Sequence, residues 1–171
     1  MKIENVKAYI EQSMNGVDAV ASELDELVEA VVNKSCKELD DYVTYVKALL
    51  DDETRPITDI ELDDIIMTIP TLTYFAGHTQ EIIGIREDIA KMNENNALSE
   101  ALAEATGTVA EKQAYAKSLI QTQTLTTIVY QRATKQIKAK TETALEILQS
   151  CKKVLSRRMA EAEMSKNTPN K

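Results

Sequence analysis

The stretch GTVAEKQAYAKSLIQTQTLTTIVYQRATKQIKAKTETALEILQSCKKVLSRRMAEAEM, residues 107–164, decides the fold. After Gly107 neither glycine nor proline recurs until Pro169. Thr108 and Glu111 have the Thr-x-x-Glu spacing of a capping box, and Gly107 suits the C′ position of a preceding helix. Together they predict one helix from 109 to about 164, roughly 80 Å long at 1.5 Å per residue. The Thr/Gln run 121–127 is its weak point, because β-branched residues are poorer helix formers. Residues 165–171 read as a disordered tail. At 100° per residue Leu119, Ala133, Ile137, Ala144, Leu148, Cys151 and Leu155 share one side, the expected buried stripe. Tyr115 and Tyr130 fall on the same apolar face and read as core, not as base-stacking platforms.

Working towards the N-terminus, Phe75, His78, Ile82, Ile85, Ile89 and Met92 form a heptad-like run within a helix predicted over 71–106. Gly84 in that run reads as permitting close helix packing, and Asn93–Asn96 as either a break or a polar layer. Before Pro70 a short helix is expected at 59–69. It begins with a second capping box, Thr58-x-x-Glu61, and a hydrophobic staple of Ile57 with Leu62. Upstream of Pro56, Val17, Val20, Leu24, Leu27 and Val31 alternate by three and four. The seam shifts through Val28, Val32 and Cys36, then resumes at Leu39, Val43, Val46 and Leu50; two successive steps of four make a stutter. This predicts a helix over 17–51, preceded by one at about 3–14. The expected fold is all-α: one domain over 1–164, an elongated antiparallel helical hairpin or bundle with coiled-coil segments. Seams in two or three segments imply apolar surface buried between chains, hence a homo-oligomer.

Composition agrees with helices. Four glycines and three prolines among 171 residues are too few for a turn-rich sheet protein, and 43% apolar content argues against wholesale disorder. The opening MKIENVKAYIEQ is polar, without a secretory apolar core, and no apolar run approaches membrane-spanning length. The reading is a cytoplasmic protein (host cytoplasm if viral) without a membrane partner. Cys36 and Cys151 sit among apolar helical positions and read as buried free thiols.

Charge carries the functional reading. Residues 1–109 hold 23 acids and 8 bases, whereas residues 110–171 hold 12 bases and 5 acids. Such asymmetry suggests a nucleic-acid or acidic-surface partner, or two segments that attract each other. The acidic N-terminal helix is expected to pair with the basic C-terminal one, within or between subunits. On the last helix Lys117, Arg132, Lys135, Lys153 and Arg157 lie roughly opposite the apolar stripe. Lys117, Lys135 and Lys153 recur every 18 residues, five turns of a straight helix. Such a line could follow a phosphate backbone, although any amphipathic helix carries charge opposite its core. Lys152-Lys153 with Arg157-Arg158 is the densest part. The candidate nucleic-acid contacts are Lys135, Lys152, Lys153, Arg157 and Arg158.

Seven carboxylates, Asp51, Asp52, Glu53, Asp59, Glu61, Asp63 and Asp64, fall within 14 residues. They read foremost as a solvated turn with helix-start acids favoured by the macrodipole. A hard-cation site or an acidic surface for a basic partner are the other readings, but no Asp-x-Asp-x-Asp-Gly loop is present. Catalysis finds little support. His78 is the only histidine, and there is no phosphate-binding glycine loop, Cys-x-x-Cys pair or nucleophile motif. No enzyme, cofactor or metal is expected.

The basic helix ending ALEILQSCKKVLSRRM, Ala144 to Met159, resembles the phage recombination mediator proteins over residues 108–160. They are small, helical, oligomeric proteins that bind single-stranded DNA and help load a recombinase onto it. The resemblance implies Lys152, Lys153, Arg157 and Arg158 in strand contact and a recombinase as partner. The expected function is a non-enzymatic oligomeric accessory protein for single-stranded nucleic acid. The alternative is a protein-only coiled-coil module or an acidic inhibitor of a basic partner.

Overall fold

Two capping boxes start helices where the Thr-x-x-Glu spacing places them. In the computed structural model, which describes the backbone of residues 3–167 and the side chains of Met14 and residues 16–166, four helices and no strand are present among the described residues. They are α1 (Ile3–Leu50), α2 (Asp59–Glu104), α3 (Val109–Leu119) and α4 (Gln121–Asn167). At the start of α2 the Thr58 hydroxyl accepts from the Glu61 amide at 3.2 Å, and the Glu61 carboxylate accepts from the Thr58 amide at 2.8 Å. Thr108 and Glu111 repeat the exchange at α3. Gly107 is the one described residue with positive φ (106°), and a Cβ there would lie 2.7 Å from the Glu111 carboxylate. The all-α class follows directly from these signals.

Helix boundaries differ from the sequence reading in three places. A break between 14 and 17 is absent, because a glycine such as Gly16 costs only about 1 kcal/mol inside a long helix. Pro70 does not end α2, which runs on through it and through Asn93–Asn96. Proline removes one backbone donor, yet Ile69 and Ala76 on either side are buried on one seam, and that packing outweighs the lost bond. Conversely, the helix expected over 109–164 is interrupted at Ile120 (φ −95°, ψ 13°), immediately before the Thr/Gln run identified as weak. Helix α4 continues to Asn167, so the start of the expected tail is helical; residues 168–171 lie outside the described residues.

The chain divides into two compact units. Unit 1 comprises Met1–Asn33 and Ile82–Thr134; unit 2 comprises Lys34–Glu81 and Lys135–Lys171. In unit 1 the buried apolar residues are small: Ala90, Ala101, Ala105, Ala116 and Ala133, with Val28, Val32, Ile83 and Ile120. In unit 2 they are larger: Leu39, Val46, Leu62, Ile65, Ile69, Ile137 and Leu148, with Cys36, Ala76, Ala144 and Cys151. Both cysteines are free and buried, as expected. Burial raises the pKa of each thiol, with Asp40 adding to the effect at Cys36.

The seams need correction. On α1, Val28, Val32, Cys36, Leu39 and Val46 are buried, whereas Val17, Val20 and Leu27 of the first alternation are exposed. On α2 the buried positions are Leu62, Ile69, Ala76, Ile83 and Ala90, one every seven residues, with Ile65 between the first two. The run read from the sequence lies on another side: Ile82, Ile85, Ile89 and Met92 are 40–60% exposed. Helix α2 is therefore apolar on two sides. Gly84 serves no close approach, since a Cβ there meets nothing within 4 Å. On α4 and α3, Ala133, Ile137, Ala144, Leu148 and Cys151 are buried and Leu155 is half-buried, but Leu119 is exposed because the break at Ile120 resets the register. Tyr115 is likewise exposed, and Tyr130 is half-buried.

Candidate nucleic-acid interface

The candidate bases sit on the part of α4 that lies in unit 2, where the angle to the buried stripe separates two groups of cations. With Ala144 as the centre of that stripe, 100° per residue puts Lys135 and Lys153 about 180° away and Arg157 about 140° away. Lys140 and Arg158, also 18 residues apart, fall only about 40° from the centre, beside the core. The first group is exposed. The second is tied to acids of other helices: Lys140 Nζ lies 2.7 Å from Asp40 Oδ2 of α1, and Arg158 Nη1 lies 2.8 Å from Asp59 Oδ1 of α2. The expected attraction between acidic and basic helices thus occurs within one chain.

Arg158 has a further task. Its Nη1 also donates to the Ile57 carbonyl at 2.8 Å, so one guanidinium holds both the staple residue and the first residue of α2. Its side chain is 30% exposed. Arg158 therefore fastens the start of α2 and is not a free surface cation.

The other four candidates differ among themselves. Lys135, Lys152 and Lys153 are exposed and make no ion pair among the described residues. Arg157 faces Glu161 at 3.7 Å, with both side chains largely in water, where such a pair contributes little. The outer line of α4 is not uniformly basic. Glu142 and Glu146 are exposed between Lys135 and Lys153, within about 20° of the same line. The positive surface consequently contracts to Lys152, Lys153 and Arg157, with Lys135 separate from them. Lys117 stands on α3, beyond the break at Ile120, and so does not belong to the helix that carries Lys135 and Lys153. Lys117 borders a groove of about 600 Å³ with Val20, Glu94, Leu98, Ile120 and Leu125.

In the acidic cluster 51–64, Glu61 and Asp52 are taken up by the turn itself, and Asp59 and Asp64 by groups on other helices. Glu61 accepts two bonds from Arg55, at 2.7 and 2.9 Å, besides the two from Thr58. The Arg55 bonds, then those from Thr58, hold its carboxyl down to a pKa of about 2. Asp52 accepts from the amide and hydroxyl of Thr54, which lowers its pKa. Asp64 accepts from the Tyr42 hydroxyl at 2.7 Å. Burial, then that bond, raises the Tyr42 pKa to about 12. Among the described residues no group of three or more His, Cys, Asp or Glu side chains is placed to hold a metal ion. His78 is exposed.

Sequence reasoning missed the roles of Lys140, Tyr42 and Asp59. For Lys140 and Arg158 a signal existed: their helical-wheel angle, close to that of Cys151, already placed them beside the core. For Tyr42 and Asp64, 22 residues apart on different helices, no local pattern announces the pair.

No family model, curated protein or solved structure matches the chain. No described helix is long and apolar enough to cross a membrane.

Proposed function

We propose that this chain is a non-enzymatic accessory protein that holds single-stranded nucleic acid on the outer face of α4 and acts as an assembly of copies, in the manner of phage recombination mediators that hand a strand to a recombinase. The observation that carries this reading is the contrast within α4. Lys140 and Arg158 are bound to acids of the same chain, whereas Lys152 and Lys153 stand exposed and unpaired among the described residues, with Arg157 one turn away. Lysines kept in water at high local density are what a phosphate backbone needs, because each contact releases condensed counterions. A flexible single strand tolerates a short, discontinuous patch better than a rigid duplex does. No aromatic residue follows Tyr130 in the sequence, so a strand at Lys152, Lys153 and Arg157 is held by charge more than by stacking.

Titration of a labelled unstructured oligonucleotide at two salt concentrations tests this. Binding should weaken steeply with salt, and the triple reversal Lys152→Glu/Lys153→Glu/Arg157→Glu should abolish it while leaving the helical content unchanged. Absence of binding at low salt would eliminate the reading. In that event the second reading, a protein-only interaction module, takes its place. It draws support from the exposed apolar side of α2, where Ile85 is 60% and Met92 55% exposed.

A further inference from the structure

Helix α2 carries one apolar seam more than its own chain covers. Leu62, Ile69, Ala76, Ile83 and Ala90 occupy the buried seam. Ile82, Ile85, Ile89 and Met92, all within unit 1, lie outside it and are 40%, 60%, 48% and 55% exposed. Their spacing of three, four and three residues is that of a and d positions: Ile82 and Ile89 at a, Ile85 and Met92 at d. Such a stripe is complementary to itself, because each knob fits a hole formed by the same residues on an identical helix. Four large apolar side chains at a regular spacing are not the scattered singles that ordinary surfaces show.

The flanking charges specify both the partner and its direction. In this register Glu81, just before the stripe, and Asp88 are g positions, and Arg86 is an e position. Parallel helices in register bring g of one heptad to e of the next on the partner, so Glu81 meets Arg86 of a neighbouring copy, and the contact recurs between neighbouring helices of the assembly. Antiparallel helices bring g to g and e to e, which sets acid against acid and arginine against arginine. Neither Glu81 nor Arg86 makes an ion pair within the chain among the described residues.

We infer that α2 self-associates: the Ile82–Ile85–Ile89–Met92 face packs in parallel register against the same face of another copy of this chain. Isoleucine at both a positions and at the first d position favours three or more strands over two. The assembly is therefore expected to exceed a dimer. This inference shares no residue with the α4 patch and stands whether or not nucleic acid binds there.

Sedimentation equilibrium of the full chain should give a mass several times 19.0 kDa. The double variant Ile85→Glu/Ile89→Glu should give the single-chain mass, with far-UV circular dichroism showing that the helices persist, since both positions are exposed. Both native cysteines are buried, so single cysteines introduced as Ile82→Cys and as Ile89→Cys report register by oxidation. Each variant should cross-link to itself, which an antiparallel arrangement cannot achieve at both positions. Glu81→Arg alone should weaken association at least tenfold, and adding Arg86→Glu should restore it. A single-chain mass for the unaltered protein, an unchanged mass in the glutamate variant, or failure of self-cross-linking at either position would each overturn the inference.

Discussion

The two units spend their apolar residues differently. Unit 2 encloses Leu62, Ile65 and Ile69 of α2 with Ile137 and Leu148 of α4, all at most 3% exposed. Unit 1 encloses mainly alanines and leaves Val17, Val20, Leu27, Ile82, Ile85, Ile89 and Met92 at least 40% exposed. Polar fastening follows the same division. In unit 2, Lys140–Asp40, Arg158–Asp59 and Tyr42–Asp64 join different helices. In unit 1 the Thr124 hydroxyl of α4 donates to the Glu94 carboxylate of α2 at 2.7 Å. Burial of large aliphatic groups is the main stabilising contribution in a fold, so unit 2 has the stronger core, although it too exposes apolar side chains, Ile60, Met67 and Phe75 among them.

The sharpest way to break this contrast is to truncate one isoleucine in each unit. Ile65→Ala, in unit 2, should cost about 2–5 kcal/mol in urea unfolding, because it deletes buried atoms and leaves a cavity. Ile89→Ala, in unit 1, should cost under about 1 kcal/mol when the protein is dilute enough to be a single chain. Equal losses would contradict the comparison. Next in size, Arg158→Ala should cost about 1–2 kcal/mol, since it strips the Ile57 carbonyl and Asp59 of a charged donor. Lys153→Ala should stay within about 0.5 kcal/mol of the unaltered protein, yet lower the salt slope of oligonucleotide binding by about one ion.

The two capping boxes allow a finer test. Thr108→Ala, in unit 1, should cost about 1 kcal/mol. Thr58→Ala, in unit 2, should cost somewhat more, because Thr58 also helps to hold the Glu61 carboxylate that Arg55 grips. The smallest effect is expected from pH. Glu61 has a folded pKa of about 2 against an ordinary 4.5, so its contribution is present above about pH 4.5 and is lost as pH falls towards 2. A thermal melt series from pH 5 to pH 2.5 should show a steeper loss for the unaltered chain than for Glu61→Gln. Parallel curves would remove Glu61 from the account.

Much of this architecture was legible from local patterns, and the exceptions share one cause. The Thr-x-x-Glu spacing located both helix starts, because capping is a contact between residues three apart. Pro70 and Gly16 misled, because a breaker acts through a local cost of a few kcal/mol that the packing of a long helix can exceed. The buried seam of α2 escaped notice since Ala76 and Ala90 are inconspicuous beside Phe75, Ile85 and Met92. Apolar periodicity shows that a side of a helix is sticky; it does not say what covers it. The candidate site was legible to the same depth. Lys153 and Arg157 lie outward as their wheel angle requires and Lys152, at about 80° from the stripe, is also exposed, whereas Arg158 was counted among them although its angle lies by the core.

By itself, the order of residues determined the helical class, the starts of α2 and α3, the burial of both thiols and the concentration of bases towards the C-terminus. These depend on propensity, capping and composition, which act over one or two turns. Only the tertiary structure decided which of two apolar sides of α2 faces inward and which bases find acids. Those outcomes depend on residues far apart in the chain, such as Lys140 and Asp40, meeting across packed helices, where the competing surfaces are chemically alike and only shape and distance choose between them.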